Sequence, residues 1–189
     1  VDNQELPIMD GSAQPFYEAL KSPYLLQEQN VARRYLKVKK EITITQDDKQ
    51  ITLRPANTQK ICFAIDFPSP IVGHQEFCAD ITPELFATKI SPCRTFCEKY
   101  QVDYLRSIGL AQGGSLDNAV VLDGDKLLNP EGFRCDNECV NHKVLDAIGD
   151  LYTSGYYIIG ELSASRTGHY HSNEILKLLF ADSDNYEII

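Results

Sequence analysis

The stretch ECVNHKVLDAIGDLYTSGYYIIGELSA, residues 138–164, contains a long helix and a strand that together decide the predicted fold. From 138 to 153, apolar residues recur at the spacing of one helix face, which predicts an α-helix capped by Asp136 or Asn137. The apolar run 157–164 then predicts a strand. Because each element needs an apolar partner surface, the pair predicts a helix layer packed on a sheet.

Short apolar runs upstream of this stretch predict the other strands of the sheet. Three of them alternate in polarity and predict an antiparallel meander, and two more follow: 35–38, 42–45, 51–53, 61–67 and 76–81. Thr82 and Pro83 then predict a helix start, with a hydroxyl cap before a proline. Strands that precede helices favour an α+β fold, a two-layer sandwich of a mostly antiparallel sheet packed on helices.

A small βαβ insertion is predicted over residues 97–122. A helix from Glu98 to Ser107, closed by Gly109, leads there to a strand at 119–122. A last helix is predicted from Asn173 to Phe180, after the strand that ends the quoted stretch.

Composition limits the class of protein. The 189 residues are 43% hydrophobic and 24% charged, which predicts one ordinary globular core. The net charge of −9, without a Lys/Arg-rich run, argues against nucleic acid as a partner. No apolar run is long enough for a transmembrane segment, and no signal peptide is recognised, so we expect a cytoplasmic protein.

Six cysteines are expected to be reduced thiols, because cytoplasmic proteins rarely keep disulfides. Two pairs, Cys93 with Cys97 and Cys135 with Cys139, have the spacing C-x-x-x-C. Structural zinc usually takes C-x-x-C instead, so we interpret these cysteines as small apolar side chains rather than metal ligands.

The predicted helix after Glu138 has a polar stripe opposite its apolar face. His142, Asp146 and Asp150 follow each other at intervals of four residues, one helical turn apart. An imidazole and a carboxylate on one rigid face could bind one divalent cation, which makes His142 and Asp146 candidate ligands. A solvated helix face would show the same spacing. His169, just after the following strand, could share a cleft with this stripe.

These residues, and others along the chain, resemble the UDP-3-O-acyl-N-acetylglucosamine deacetylase family. The helix motif H-K-x-L-D-x-x-G-D-L of that family is matched from His142 to Leu151. Further matches occur in the family's order: 7–13 (PIMDGSA), 64–67, 94–96, 113–115, 128–132 and 167–169. The resemblance covers essentially the whole chain.

The resemblance implies a zinc amidase that removes the N-acetyl group of UDP-3-O-acyl-N-acetylglucosamine in lipid A synthesis. It implies His142 and Asp146 as two zinc ligands, with a third ligand and a glutamate general base in an N-terminal domain that this sequence lacks. His74 and His171 are weaker candidates to replace that ligand. Residues 1–30 would be the tail of that domain and a linker, and 31–189 the C-terminal α+β deacetylase domain.

The resemblance also implies roles for further residues. His169 would protonate the leaving amine, Asp150 would orient it, and Thr95 would hydrogen-bond the oxyanion. Contacts with the UDP part of the substrate are implied for Lys143, Arg166, Phe67 and Asp66. The 97–122 insertion would form the acyl-chain passage, lined from Leu105, Leu110 and Val120 or their neighbours.

Two other functions remain open at this point. The chain could be a non-catalytic module that binds a UDP-sugar or another protein. It could also be one chain of a split enzyme that a second chain completes. By itself, without the N-terminal domain, this sequence is expected to be inactive.

Overall fold

Ten strands and five α-helices form the parts of the chain that the computed structural model describes, residues 6–21, 23–24 and 26–189. The strands are β1 (Tyr35–Val38), β2 (Ile42–Gln46), β3 (Lys49–Arg54), β4 (Gln59–Asp66), β5 (His74–Asp80), β6 (Phe96–Glu98), β7 (Val120–Asp123), β8 (Lys126–Leu127), β9 (Tyr157–Ser165) and β10 (Tyr186–Ile188). The helices are α1 (Gln14–Leu20), α2 (Pro83–Leu85), α3 (Lys99–Ser107), α4 (Glu138–Tyr152) and α5 (His169–Phe180). A π-helical turn, Phe86–Ile90, directly continues α2. Residues 1–5, 22 and 25 of the predicted 1–30 segment lie outside the described residues.

Strand β9 is the centre of the main sheet of seven strands. It pairs in parallel with β1 and β4 and antiparallel with β3, while β2, β5 and β10 extend the sheet from these three neighbours. Its burial alternates residue by residue along the strand, so one face packs on the core. The predicted α+β sandwich of a mostly antiparallel sheet and helices is confirmed.

Helices α4 and α5 cover the sheet. Val144 and Leu151 of α4 and Ile175 and Leu179 of α5 are almost fully buried in one core with the inward residues of the strands. The predicted bounds of α4 are confirmed to within one residue, whereas α5 begins at His169, four residues earlier than predicted. None of the helices in the described ranges has the length and apolarity needed to cross a membrane.

The predicted insertion is present as a separate three-stranded sheet. Strand β6 is joined through α3 to β7, which lies parallel to it, and β8 pairs with β7 as a short hairpin. The βαβ prediction is therefore confirmed, and Gly109 follows α3 in the left-handed region at φ 83°.

The predicted meander is wrong for its first strand. β2 and β3 form the expected hairpin, but β1 pairs with β9 and β10 rather than with β2. Leu36 and Val38 of β1 are buried at 0% and 1% exposure, and Tyr35 contacts Tyr157 edge-on at 5.6 Å. Apolar alternation indicates that a run is a strand but does not specify its partner, which here lies more than a hundred residues away.

The predicted cap position of α4 is confirmed at Asn137, but the expected capping hydrogen bond is not formed. Asn137 lies at the cap position with φ 60°, in the left-handed region, and its side chain makes no capping hydrogen bond. The side-chain oxygen of Gln75, on β5, instead accepts the backbone N–H of Val140 at 3.1 Å. A residue distant in sequence thus satisfies one of the unpaired N–H groups of the first turn.

The expectation that all six cysteines are thiols is wrong for two of them. Cys62 and Cys78 are cross-strand neighbours on β4 and β5, and they form a disulfide. Cys93, Cys97, Cys135 and Cys139 are free thiols, of which Cys93 and Cys139 are buried. Burial, with Cys135 alongside, raises the pKa of Cys93, and burial raises the pKa of Cys139 to about 12.

Candidate active site

An open groove of about 530 Å³ lies along the polar side of α4. His142, Asp146, Gly149 and Asp150 line it from the helix. The rest of its wall comes from His169 at the start of α5, from Thr95 before β6, and from the segment 6–13 with Phe16. The chain thus brings together the five residues to which the family resemblance assigns a metal-binding or catalytic role.

His142 is held in one orientation by the backbone. Its ring is buried, at 8% exposure for the residue, and Nδ1 lies 3.0 Å from the carbonyl oxygen of Cys93. A carbonyl can only accept, so Nδ1 carries the proton and donates it. In the tautomer whose single ring proton is on Nδ1, Nε2 carries the lone pair; this atom lies 3.4 Å from Oδ1 of Asp146.

The spacing of these two atoms fits two ligands of one metal ion. Two donors at the usual zinc distances, in tetrahedral geometry, lie about 3.3–3.4 Å apart. The separation of 3.4 Å between Nε2 of His142 and Oδ1 of Asp146 matches that value. The bond from Nδ1 to a carbonyl is also the usual outer-shell contact of a ligating histidine. No cluster of three or more His, Cys, Asp or Glu side chains suited to a metal occurs within the described residues.

The second oxygen of Asp146 is engaged by a lysine. Nζ of Lys143 donates to Oδ2 of Asp146 at 2.6 Å, one helical turn away on the same side of α4. Both side chains are largely buried, with exposed fractions of 18% and 20%. The contact with Lys143 therefore holds Oδ2 of Asp146 and leaves Oδ1 directed at His142.

A second histidine–carboxylate pair lies one turn further along the groove. Nδ1 of His169 is 2.9 Å and 3.0 Å from the two carboxylate oxygens of Asp150. Its Nε2 points back along the groove and lies 4.0 Å from Oδ2 of Asp146. The His169 side chain is 67% exposed, so an incoming molecule can reach Nε2 while Asp150 orients the ring.

A buried ion pair joins α4 to the segment that holds Thr95. Oε1 of Glu138 accepts from Nε and from the backbone N–H of Arg94, each at 2.9 Å, and Oε2 accepts from the guanidinium at 3.2 Å. The same Oε2 accepts the backbone N–H of Arg134 at 2.7 Å. Glu138 raises the pKa of Arg94, whose side chain also contacts Glu131. This ion pair holds Arg94 in place and thereby positions the residues on either side of it. These are Cys93, whose carbonyl binds His142, and Thr95.

Gly11 connects the segment 7–13 to the wall of the groove. The carbonyl of Gly11 accepts the backbone N–H of Thr95 at 2.8 Å, which joins the two segments. Gly11 has φ 79°, and a Cβ at this position would lie 2.0 Å from the carbonyl oxygen of Asn118. Only glycine fits this contact without displacement of the backbone.

An apolar cavity of about 340 Å³ adjoins the groove. Leu105 of the insertion helix lines it, together with Val102, Val121 and Leu128, and Ile8 borders both the cavity and the groove. Two of the predicted lining residues, Leu110 and Val120, do not line it. Successive residues of a strand face opposite sides, so Val121 faces the cavity while Val120 is buried at 0% exposure.

Phe67 and Asp66 lie beside a separate groove of about 480 Å³. The Phe67 ring packs edge-on against Phe96, with centroids 5.1 Å apart. Arg166 donates to Oδ2 of Asp66 at 2.9 Å and to Asp48 at 2.5 Å, and His74 lies 2.8 Å from Oδ1 of Asp66. The contacts with His74 and Arg166 lower the pKa of Asp66. The structure thus brings Arg166 and Asp66 together but does not place Arg166 among the residues that line the α4 groove.

Comparison with known proteins identifies the relationship. The model of the UDP-3-O-acyl N-acetylglycosamine deacetylase family matches residues 1–181. The chain belongs to this family. It is 44% identical over 191 residues to the UDP-3-O-acyl-N-acetylglucosamine deacetylase of Shewanella violacea and 44% identical over 190 residues to that of Aliarcobacter butzleri. The deacetylase of Pasteurella multocida is 41% identical over 191 residues. The whole chain aligns in each case but spans only 62–63% of the relative's length.

The two weaker candidates for a metal ligand, His74 and His171, lie outside the α4 groove of this family member. His74 is bound between Asp66 and Glu76, at 2.8 Å and 3.0 Å. His171 is buried on α5 at 6% exposure, and neither of its ring nitrogens has a hydrogen-bond partner among the described residues. Neither residue lines the groove of His142 and Asp146.

Three residues that support the candidate site were not predicted for it. Glu138 and Arg94 form the buried pair, and Gly11 makes the close contact with residue 118. Arg94 and Gly11 lie inside motifs that the sequence pointed out, so the motif matches were the available signal. Glu138 was recognised only as the start of a helix, because a charged residue in a first turn is normally explained by the helix dipole.

Proposed function

We propose that this chain is the C-terminal catalytic part of a zinc-dependent deacetylase. It would hydrolyse the N-acetyl amide of UDP-3-O-acyl-N-acetylglucosamine to the free amine and acetate, an early committed step of lipid A synthesis. The observation that carries the proposal is the pair of donors, His142 Nε2 and Asp146 Oδ1, 3.4 Å apart, in one groove with the His169–Asp150 pair. Family membership supplies the substrate class.

His142 and Asp146 would hold the zinc ion. When bound, the ion supplies Lewis acidity: it lowers the pKa of a water molecule and polarises the amide carbonyl. The carbonyl of Cys93 keeps the proton of His142 on Nδ1 and so presents the Nε2 lone pair to the ion. Because the described residues offer two donors in this groove, a further domain is proposed to supply the third ligand and the carboxylate that takes the proton of the water.

His169 and Thr95 would act on the amide itself. The Thr95 hydroxyl, at the rim of the same groove, would donate to the oxygen that becomes negative as the amide is attacked. Nε2 of His169 would then give a proton to the departing amine, and Asp150 would hold the ring in place through Nδ1.

Three regions would bind the rest of the substrate. The apolar cavity of about 340 Å³ would take the 3-O-acyl chain, because Ile8 connects it to the groove where the amide reacts. Lys143 and Arg166 would offset the charge of the diphosphate. The aromatic ring of Phe67 would stack on the uracil, with Asp66 beside it for polar contacts.

The test combines metal content with activity. The chain is assayed for zinc and for acetate release from UDP-3-O-acyl-N-acetylglucosamine, alone and after addition of the N-terminal domain of the Shewanella violacea relative. We expect activity with the added domain, loss of both zinc and activity in His142→Ala, and loss of activity without loss of zinc in His169→Ala. Zinc binding that is unchanged in His142→Ala would contradict the proposed ligand. UDP binding without any deacetylation would favour a non-catalytic module.

A further inference from the structure

Two free thiols lie in contact behind the metal-binding face of α4. Sγ of Cys93 and Sγ of Cys135 are 3.5 Å apart, although the residues are separated by 42 positions in sequence. Cys93 is fully buried, at 0% exposure, and its sulfur also lies 3.1 Å from the carbonyl of Lys89. Cys135 is partly exposed and precedes the first residue of α4.

We propose that Cys93 and Cys135 form a reversible oxidation site, at which a peroxide converts the two thiols into a disulfide. A disulfide needs the sulfurs about 2.0 Å apart, so they have to approach each other by about 1.5 Å. Cys135 lies outside regular secondary structure, in the bend before α4, where such a movement breaks no helical or sheet hydrogen bond. Its partial exposure also makes Cys135 the sulfur that meets the oxidant first.

The chemistry proceeds in two steps. The sulfur of Cys135 attacks one oxygen of the peroxide, its S–H proton is transferred to the departing oxygen, and a sulfenic acid and one water form when hydrogen peroxide is the oxidant. The sulfur of Cys93 then attacks the sulfenic sulfur and loses its own proton; the hydroxyl leaves as a second water. Two thiols are thereby oxidised by two electrons, and one peroxide is reduced to two waters. A small thiol reverses the reaction by exchange.

This oxidation would act on the site through one carbonyl. The Cys93 carbonyl oxygen is the acceptor for Nδ1 of His142, at 3.0 Å, and the next residue, Arg94, is bound by Glu138. A covalent bond from Cys93 to Cys135, in the bend before α4, would therefore displace the carbonyl that sets the orientation of His142. The effect on metal binding rests on the proposed function; formation of the disulfide does not.

Peptide mapping tests the disulfide without any assay of activity. Trypsin places Cys93 in the peptide ISPCR, residues 90–94, and Cys135 in CDNECVNHK, residues 135–143. After exposure to hydrogen peroxide and blocking of free thiols, we expect these two peptides to be linked with loss of two hydrogens, and separated again by dithiothreitol. Fragmentation of the linked peptide distinguishes Cys135 from Cys139, which the second peptide also contains.

Matched variants and one binding measurement complete the test. Cys135→Ser is expected to abolish the link and Cys139→Ser to retain it; a link that passes through Cys139, or oxidation of both thiols without a link, would overturn the proposal. The oxidised chain is expected to bind zinc roughly tenfold or more weakly than the reduced chain in competition with a coloured chelator. Equal zinc affinities of the oxidised and reduced chains would refute the coupling to His142. The peptide map would still decide whether the disulfide forms.

Discussion

Replacement of Glu138 by alanine is expected to be among the most destabilising single changes in this protein. The Glu138 side chain is 0% exposed, and it accepts hydrogen bonds from the guanidinium of Arg94 and from the backbone N–H groups of Arg94 and Arg134. Glu138→Ala leaves the Arg94 cation, itself 2% exposed, without its main partner, and leaves both backbone donors unpaired. Removal of one partner of a buried ion pair typically costs about 3–5 kcal/mol.

That cost is large beside the whole stability of an ordinary domain, about 5–15 kcal/mol. The assay is urea unfolding at pH 7, with the free energy of unfolding extrapolated to water and compared with the unchanged chain. Glu131→Ala is the matched control, because Glu131 contacts the same Arg94 but its side chain is 50% exposed. We expect the control to lose no more than about 1 kcal/mol. Equal losses in the two variants, or less than about 1 kcal/mol in Glu138→Ala, would refute the reasoning.

Three further changes have defined outcomes. Gly11→Ala should lower the free energy of unfolding by about 2–5 kcal/mol, because the position has a positive φ and the new Cβ would clash with the backbone. Gly109→Ala is the control: its φ is similar but the space around it is open, so we expect a loss of about 1–2 kcal/mol in the same urea assay. Contacts with Asp66 and Glu76 raise the pKa of His74 above 6.5, so its stabilising effect is present below that pH and is lost as the pH rises through the raised value. The loss of stability in His74→Asn should therefore be larger at about pH 6 than at about pH 9, and an equal loss at both would contradict the ion pair. Ala119→Phe should fill part of the apolar cavity and slow deacetylation of long-chain substrates by about tenfold or more, with a smaller effect on a short-chain analogue in the same acetate-release assay.

Local patterns predicted the elements of this fold better than their partners. The bounds of α4, the β2–β3 hairpin and the βαβ insertion follow from periodicity, turn residues and glycine positions, and all three are present. The neighbours of β1 and the group that binds an N–H in the first turn of α4 do not follow from such patterns. Both partners, β9 and Gln75, lie far away in sequence, because a strand edge pairs with any strand, and an unpaired N–H donates to any acceptor, that folding brings near.

The candidate site shows the same division. Helical spacing alone put His142, Asp146 and Asp150 on one face, and the motif match added His169 and Thr95; the structure places all five along one groove. The 3.4 Å between the two proposed ligand atoms, and the contact of His142 with a backbone carbonyl, depend on how α4 meets the segment before β6. Spacing along one helix fixes which side chains are neighbours, but not what lies opposite them.

By itself the sequence determined the class of fold, the family and the residue types of the site, because these depend on periodicity and on short motifs along the chain. Only the tertiary structure decided that Glu138 is buried against Arg94, that Cys93 lies against Cys135, and that Asp66 is shared by His74 and Arg166. Each of these contacts joins segments separated by at least eight residues, and most by more than forty. Such contacts form only when packing of the sheet and helices has fixed the distances between those segments, so no local pattern encodes them.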